Sequence, residues 1–336
     1  MSPDLILVLV IVAVALTFDF LNGFHDAANS VATVVATRVL TPLQAVIWAA
    51  FFNFVSAFSF GTGVAKTVGS GMVDLREVTP YVILCGLLGA VVWDLATWWF
   101  GLPTSSSHAL FGGYAGAAIA RAGSFNVLIW SGWIKTLVFM AFAPLLGLVA
   151  AHIFMTAVYW LFQKSSPKKM DTYFRKLQLL SAAAFSYSHG TNDAQKTMGI
   201  ITGVLVATKY LPRFEVPVWV ILAAHAAIAL GTMSGGWRIV HTMGSRITKL
   251  KPRGGFCAET AAATSILLAT VAGVGVSTTH VITGAIVGVG SIQRVKAVRW
   301  GVATNIVWAW ILTIPAAGVV SWVAYSLLYA GGFDAR

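Results

Sequence analysis

Apolar residues follow one another in this sequence for stretches about as long as a bilayer is thick, and nothing else in it bounds the fold so tightly. Leu5 to Phe18, Val82 to Val92 and Ile134 to Phe162 are continuous runs separated by short polar punctuation. Lipid offers the backbone no hydrogen-bond partners, so a chain embedded in it must pair its own N–H and C=O groups, as helices or as a closed barrel. A barrel strand would alternate polar and apolar residues; unbroken runs select helices. Only 10% of the 336 residues are charged, where a soluble domain carries roughly a quarter. The expectation is an all-α polytopic membrane protein, multi-pass in the cell (plasma or inner) membrane.

The net charge of +11 does not point to nucleic acid. Its basic residues gather in loops: Lys164, Lys168, Lys169, Arg175 and Lys176; Arg246, Lys249, Lys251 and Arg253; Arg294, Lys296 and Arg299. Lys and Arg are retained on the inner side of a membrane, so these loops are expected in the cytoplasm. The N-terminal run carries Asp4 and lacks the basic region and cleavage site of a signal peptide, so it is read as a span that starts outside. Cys85 and Cys257 lie in apolar segments and read as buried free thiols.

The chain repeats itself. Phe18, Gly23, Asp26, Ala27 and Ser30 recur as Phe185, Gly190, Asp193, Ala194 and Thr197 at a constant offset of 167. Ser105-Ser106-Ser107-His108 recurs as Ser277-Thr278-Thr279-His280 at an offset of 172, which also pairs Gly112 with Gly284, Gly116 with Gly288 and Cys85 with Cys257. Two blocks in the same order define a first transmembrane repeat over 1–163, a basic cytoplasmic linker over 164–176 and a second transmembrane repeat over 177–336. If the chain starts outside and the linker is inside, the first repeat crosses an odd number of times and the second lies upside down relative to it. Inverted-topology repeats place one site near the bilayer midplane, where the two meet.

Acidic residues inside apolar runs are costly and usually face a cavity in which they work. Asp19, Asp26, Asp94, Asp193 and Glu259 are so placed. Asp26 and Asp193 lead, because the repeat pairs them; Asn29 and Asn192 beside them complete the candidate coupling-cation set. The glycine three residues before each aspartate is expected to loosen the helix and free carbonyl oxygens for a small cation. The competing reading is that these aspartates cap broken helices.

Thr104, Ser105, Ser106 and Ser107, and again Ser277, Thr278 and Thr279, precede apolar stretches too short to span comfortably, such as Ala109 to Ala120. They read as N-termini of re-entrant half-helices, where unpartnered amides and the positive dipole end attract an anion and the hydroxyls add neutral donors. Ordinary N-capping is the plainer alternative. His108 and His280 rank behind them. Between the repeats, Asn29 is matched by Lys196, so the ammonium is expected to fill the second cation place beside Asp193; contact with the anion, or snorkelling, are the alternatives. Asp94 and Glu259 face Ile266 and Leu87 and stand as unduplicated candidates for proton or cation binding.

Gly23-Phe-His-Asp-Ala-Ala-Asn-Ser30 and Gly190-Thr-Asn-Asp-Ala-Gln-Lys-Thr-Met-Gly199 resemble the duplicated signature of the PiT family of inorganic phosphate transporters, bacterial type. The paired hydroxyl motifs, Gly231-Thr-Met-Ser-Gly-Gly-Trp-Arg238 and Gly255-Phe-Cys-Ala-Glu259 extend the likeness along nearly the whole chain. The resemblance implies symport of phosphate with sodium or protons by alternating access through an inverted-repeat helical fold. It assigns cation and phosphate roles to Asp26, Asn29 and Asp193, and phosphate contact to the hydroxyl motifs. Phe24-His25 replaces the family's common Ala-Asn, and Asn53 stands where animal members carry a glutamate; both weigh against sodium. Gln195-Lys196 is similar to bacterial members, which often use protons and carry phosphate complexed with metal.

The expected partners are therefore inorganic phosphate, free or as a metal-phosphate complex, the lipid bilayer, and further copies of the chain if it forms a homo-oligomer. No nucleic acid, cofactor or resident metal is expected, and no enzymatic activity. A sulfate permease of the same family is the first alternative. Phosphate is preferred because near neutral pH it still carries a proton, which Asp26 or Asp193 could accept, whereas sulfate would be repelled. A passive anion channel is the second alternative. An intramembrane aspartyl protease is disfavoured, since each aspartate lies in a copy of one motif and the hydroxyl clusters would go unexplained.

Overall fold

Where the sequence sets a hydroxyl ahead of a proline or an apolar run, a helix begins. In the computed structural model, which describes residues 3–58 and 61–334, Thr41 accepts from the Gln44 N–H while the Gln44 side chain returns to the Thr41 N–H. Thr79, Ser105, Ser166 and Ser277 cap later helices in the same way from one side. Among the described residues the chain forms α1 (Pro3–Ala36), α2 (Pro42–Val55), α3 (Gly63–Ser70), α4 (Pro80–Phe100), α5 (Ser106–Ala122) and α6 (Trp130–Leu161). It continues with α7 (Pro167–Ala207), α8 (Val218–Ser234), α9 (Trp237–His241), α10 (Pro252–Val271), α11 (Thr278–Gln293) and α12 (Trp300–Ala330). Among the described residues, extended backbone pairing is limited to an isolated bridge between Val73 and Leu128.

The helices α1, α4, α6, α10 and α12 are each long and apolar enough to cross a membrane, and two bent pairs raise the number of such spans to as many as seven. α6 and α12 turn Leu137, Phe142, Leu146, Ile311, Leu312 and Val323 outward. Outward apolar side chains in this number suit acyl chains and not water. The expected all-helical membrane architecture is thus present.

The order of elements falls into two sets of six, α1–α6 and α7–α12. The sets share more than length: α4 and α10 both open on a proline, and α6 and α12 both carry one inside, Pro144 and Pro315. Packing crosses between the sets. α5 lies on α12 and α11 on α6; α1 lies on α8 and α7 on α2. The paired glycines explain the crossing. A Cβ on Gly112 would stand 2.3 Å from the Ile314 carbonyl oxygen of α12, and one on Gly284 would stand 2.0 Å from the Pro144 carbonyl oxygen of α6.

α1 and α7 run antiparallel through the middle. Thr37, just past the end of α1, reaches Gln178 near the start of α7, and Asp26 lies beside His189. The apolar core is divided by these two helices into two clusters, one holding Val31 and Phe185, the other Phe18 and Met198. Polar side chains fill the level between.

One end of the molecule gathers the basic loops. Arg175 donates to the Arg38 carbonyl at 2.7 Å, and the Arg299 N–H to the Ile247 carbonyl at 2.9 Å. This is called the basic end below. The expected linker over 164–176 is helical from Pro167 onward, as the first turns of α7.

Candidate functional site

α1 and α7 stay helical straight through their aspartate motifs, so the expected unwinding at Gly23 and Gly190 does not occur. The glycines serve close approach instead. A Cβ on Gly23 would meet the Ile228 carbonyl oxygen at 2.1 Å, and one on Gly190 the Ser56 hydroxyl at 2.4 Å. Backbone carbonyls therefore stay in the helices, and the ligand oxygens come from side chains.

Those side chains converge. Thr278, at the N-terminus of α11, sits between the paired carboxylates: its hydroxyl lies 3.3 Å from Asp26 Oδ2 and 3.4 Å from Asp193 Oδ2. Thr279 reaches Asp26 Oδ1 at 3.4 Å and accepts from the Asn29 amide at 2.8 Å. On the other side, the Lys196 ammonium donates to Asp193 Oδ1 at 2.5 Å, to the Ser107 hydroxyl at 2.5 Å and to the Val276 carbonyl at 3.0 Å. Asp26, Asn29, Asp193, Lys196, Ser107, Thr278 and Thr279 thus meet in one buried cluster.

The other expected residues take different places. Ser105 and Ser277 accept from the His108 and His280 N–H groups, which makes them the N-caps. Thr104 donates to Thr97 at 3.0 Å and lies 3.3 Å from His25 Nε2. Ser106 is buried close to Asp94, and neither makes a hydrogen bond of normal geometry among the described residues. Asn192 gives its amide to Thr270 and the Val274 carbonyl and accepts from the Val276 N–H, so it fastens the segment leading into α11. His108 and His280 meet each other edge to face, ring centroids 4.4 Å apart, with His280 stacked on Trp310. Glu259 lies apart, in α10, held by Thr33, Gln178 and Ser181.

Two histidines that the motif reading passed over belong to the centre. His25 Nδ1 lies 3.1 Å from Asp26 Oδ1 and its Nε2 3.2 Å from Thr97, so it fastens the segment before α5 as its counterpart Asn192 fastens the one before α11. His189 Nε2 lies 3.4 Å from Asp193 Oδ2 and 3.9 Å from Asp26 Oδ2. A chain of hydrogen bonds orients this ring. Thr232 donates to the Ile228 carbonyl and so accepts from the Asn53 amide; the Asn53 carbonyl oxygen then faces His189 Nδ1 at 3.2 Å. Nδ1 must carry a hydrogen, which turns Nε2 towards two carboxylates. That arrangement is satisfied only by a proton or a small cation shared among them. Asp26, His189 and Asp193 offer ligand atoms all within 4.8 Å of one another.

Charge balance points the same way. Asp19, Asp26, Asp94 and Asp193 are buried around one fixed cation, Lys196. Unpaired buried charge is costly, so a core of this composition is suited to protons or other cations. Beside it, the first turns of α5 and α11 supply hydroxyl donors and amide ends of the kind that hold an oxyanion.

Comparison with known proteins gives the family. The model of a family described as "Phosphate transporter family" matches residues 22–321. A Rhizobium meliloti (strain 1021) protein named "Probable low-affinity inorganic phosphate transporter" is 55% identical over 94% of each chain. A Bacillus subtilis (strain 168) protein of the same name is 45% identical over 96% of this chain and 98% of its own. Among solved structures, "The sodium-dependent phosphate transporter" superposes with a TM-score of 0.89 at 26% identity, covering 96% of this chain and 99% of that one. With a family model that spans most of the sequence and relatives matched nearly end to end, the chain belongs to the phosphate transporter family.

Proposed function

We propose that this protein is a symporter that imports inorganic phosphate together with a cation, proton or sodium, by alternating access. The observation that carries the reading is the position of Thr278: a hydroxyl donor at a helix N-terminus shared between two buried carboxylates. Oxyanion donors and cation acceptors are thereby one cluster, so loading one ion changes the hydrogen bonds open to the other. In the arrangement described here, Thr278 donates to Asp26 or Asp193 and Thr279 to Asp26. When cations neutralise the carboxylates, those hydroxyls and that of Ser107 are released to phosphate. Residues 1–163 and 177–336 act in this reading as inverted repeats joined through 164–176, rocking about the shared site. Asp26, His189 and Asp193 would also serve a metal that arrives bound to phosphate, and the relatives' names favour phosphate over sulfate as the anion.

The test is uptake of labelled phosphate into proteoliposomes under sodium and proton gradients imposed separately, with sulfate as competitor and with divalent metal present or chelated. Concentrative uptake that collapses when the gradient is dissipated is expected. Uptake that never exceeds equilibration would make the protein a channel, and strong sulfate competition with weak phosphate uptake would reassign the anion.

A further inference from the structure

Away from the central cluster, towards the basic end, Glu259 is fully buried in α10. The Thr33 hydroxyl donates to its Oε1 at 2.5 Å, the Gln178 amide to the same oxygen at 3.0 Å, and the Ser181 hydroxyl to Oε2. Thr37 donates to Gln178 Oε1, the side-chain amide oxygen, at 2.8 Å and closes the cage. Every group that touches the carboxylate is neutral. The other titratable side chains of α10 are Arg253, which lies over the Tyr159 ring, and the buried thiol Cys257. His152 of α6 and His280 of α11 hydrogen-bond to the Leu148 and Met140 carbonyls and Arg175 of α7 to the Arg38 carbonyl. Of the titratable groups of α1, His25 and Asp26 lie at the central cluster, Asp19 lies beside Thr197, and Asp4 is exposed in the first turn.

Position gives the cage a task. Asn29 and Thr33 lie on a single face of α1, and Thr37, four residues on and just past its end, continues the line. They lead from the central carboxylates to the loop at Arg38, and Asp26 to Thr33 spans about 10 Å of helix. The opposite half has nothing like it. At the offsets set by the repeat, Thr33 and Thr37 become Ile200 and Val204, Gln178 and Ser181 become Ile11 and Val14, and Glu259 becomes Leu87. All five apolar counterparts belong to one packed cluster. The core is sealed by a dry plug on one side and by a hydrogen-bonded carboxylate on the other.

We propose that Glu259 is a proton-accepting station on the basic-end side of the site, which binds and releases one proton in each cycle that moves phosphate. The cage fits both forms. As a carboxylate, Glu259 accepts three hydrogen bonds. Once it takes a proton and becomes the acid, Ser181 can turn its own hydrogen to the Gln178 carbonyl, 3.2 Å away, and accept from the new O–H. No hydrogen bond is stranded in either state, whereas a purely structural carboxylate would need no such reversible partner.

The inference rests on the symport reading, and one set of vesicles separates the two. Wild type, Glu259→Gln and Glu259→Asp are reconstituted, and two rates are measured: exchange of labelled for unlabelled phosphate without any gradient, and net uptake driven by an imposed pH gradient. Glutamine keeps the size and mimics the protonated acid, its oxygen accepting from Thr33 and Gln178 and its NH2 donating to a reversed Ser181, but it cannot take or release the proton. Glu259→Gln is expected to retain exchange within threefold, lose more than tenfold of the proton-driven uptake and lose its pH dependence; Glu259→Asp regains part of it with a displaced pH profile. Proton-driven uptake by Glu259→Gln within threefold of wild type overturns the proposal. So does equal loss of both rates in folded protein, or a wild type driven by sodium gradients and indifferent to pH. Should Glu259→Gln fail to fold, an unshifted pH profile in Glu259→Asp overturns it instead. A wild type that neither exchanges nor accumulates phosphate sinks the symport reading itself.

Discussion

Asn29 and Lys196 are structural counterparts that reach across the molecule to counterpart partners. Asn29 of α1 donates to Thr279 of α11 at 2.8 Å, and Lys196 of α7 donates to Ser107 of α5 at 2.5 Å. One repeat thus spends a neutral amide, and the other a fixed positive charge, on the same contact. The ammonium also pairs with Asp193, whereas the polar partners of Asp26 among the described residues are histidines and hydroxyls.

If the protein is a symporter as proposed, replacing that charge is expected to change how many cations travel with each phosphate. Lys196→Asn makes the second repeat like the first and leaves Asp193 in need of a mobile cation. The ratio of cations to phosphate, measured from flux at balanced gradients, is expected to rise; an unchanged ratio with full transport would show that Lys196 does not fill a cation place. Lys196→Met removes the partner and offers nothing instead. Breaking a buried pair from one side costs about 3–5 kcal/mol, so this variant is expected to lose most of its folded yield.

Much of this was legible in the sequence because lipid makes certain choices conspicuous. An aspartate in an apolar run, or three hydroxyls before a short helix, has few innocent explanations there, and the repeat doubled each signal. What did not show was the exchange of partners between halves. Which helix Gly112 or Gly284 packs against depends on tertiary contacts that periodicity does not encode. The aspartate motifs misled for a related reason: a glycine beside a carboxylate reads as a loosened helix, yet here it admits a neighbouring backbone. His189 was passed over because alone it resembles a satisfied core residue, and Asn53 was read only against the family's glutamate; the bond from Asn53 to Thr232 reveals what His189 must face.

That bond carries the next prediction. Asn53→Leu removes the acceptor from His189 Nδ1 and lets the ring donate from Nε2 to Asp26 and Asp193 instead. The carboxylates are then partly satisfied without a mobile cation. The concentration of coupling ion needed for half-maximal uptake is expected to rise at least tenfold with little change in the maximal rate. A lower maximal rate at unchanged ion affinity would assign Asn53 a packing role only.

The crossed packing predicts a matched pair of defects. Gly112→Ala places a methyl 2.3 Å from the Ile314 carbonyl, and Gly284→Ala does the same 2.0 Å from the Pro144 carbonyl. Overpacking of this kind typically costs about 1–3 kcal/mol. Both variants should melt several degrees lower in a detergent thermal-shift assay. Gly301→Ala, whose added methyl meets nothing within 4 Å, should melt as wild type. A normal melting point for Gly112→Ala would mean that α5 and α12 do not approach as described.

The sharpest test falls on Thr278, because two carboxylates share its single hydrogen. Thr278→Ser keeps the hydroxyl and drops the methyl; Thr278→Val keeps the shape and removes the donor. If the hydroxyl passes from carboxylate to phosphate during transport, serine should support uptake within a few-fold of wild type. Valine should lose it at least a hundredfold while remaining folded. Loss of a neutral hydrogen bond to a charged partner is worth about 1.5–3 kcal/mol, which alone accounts for roughly ten- to a hundredfold. A larger loss follows because Asp26 and Asp193 would then face each other without a donor between them. The position also separates the ions: in Thr278→Val the phosphate concentration for half-maximal uptake should rise together with that for the cation. A variant that weakens phosphate alone would mean that the hydroxyl serves the anion and that Asp26 and Asp193 bind their cation independently of it.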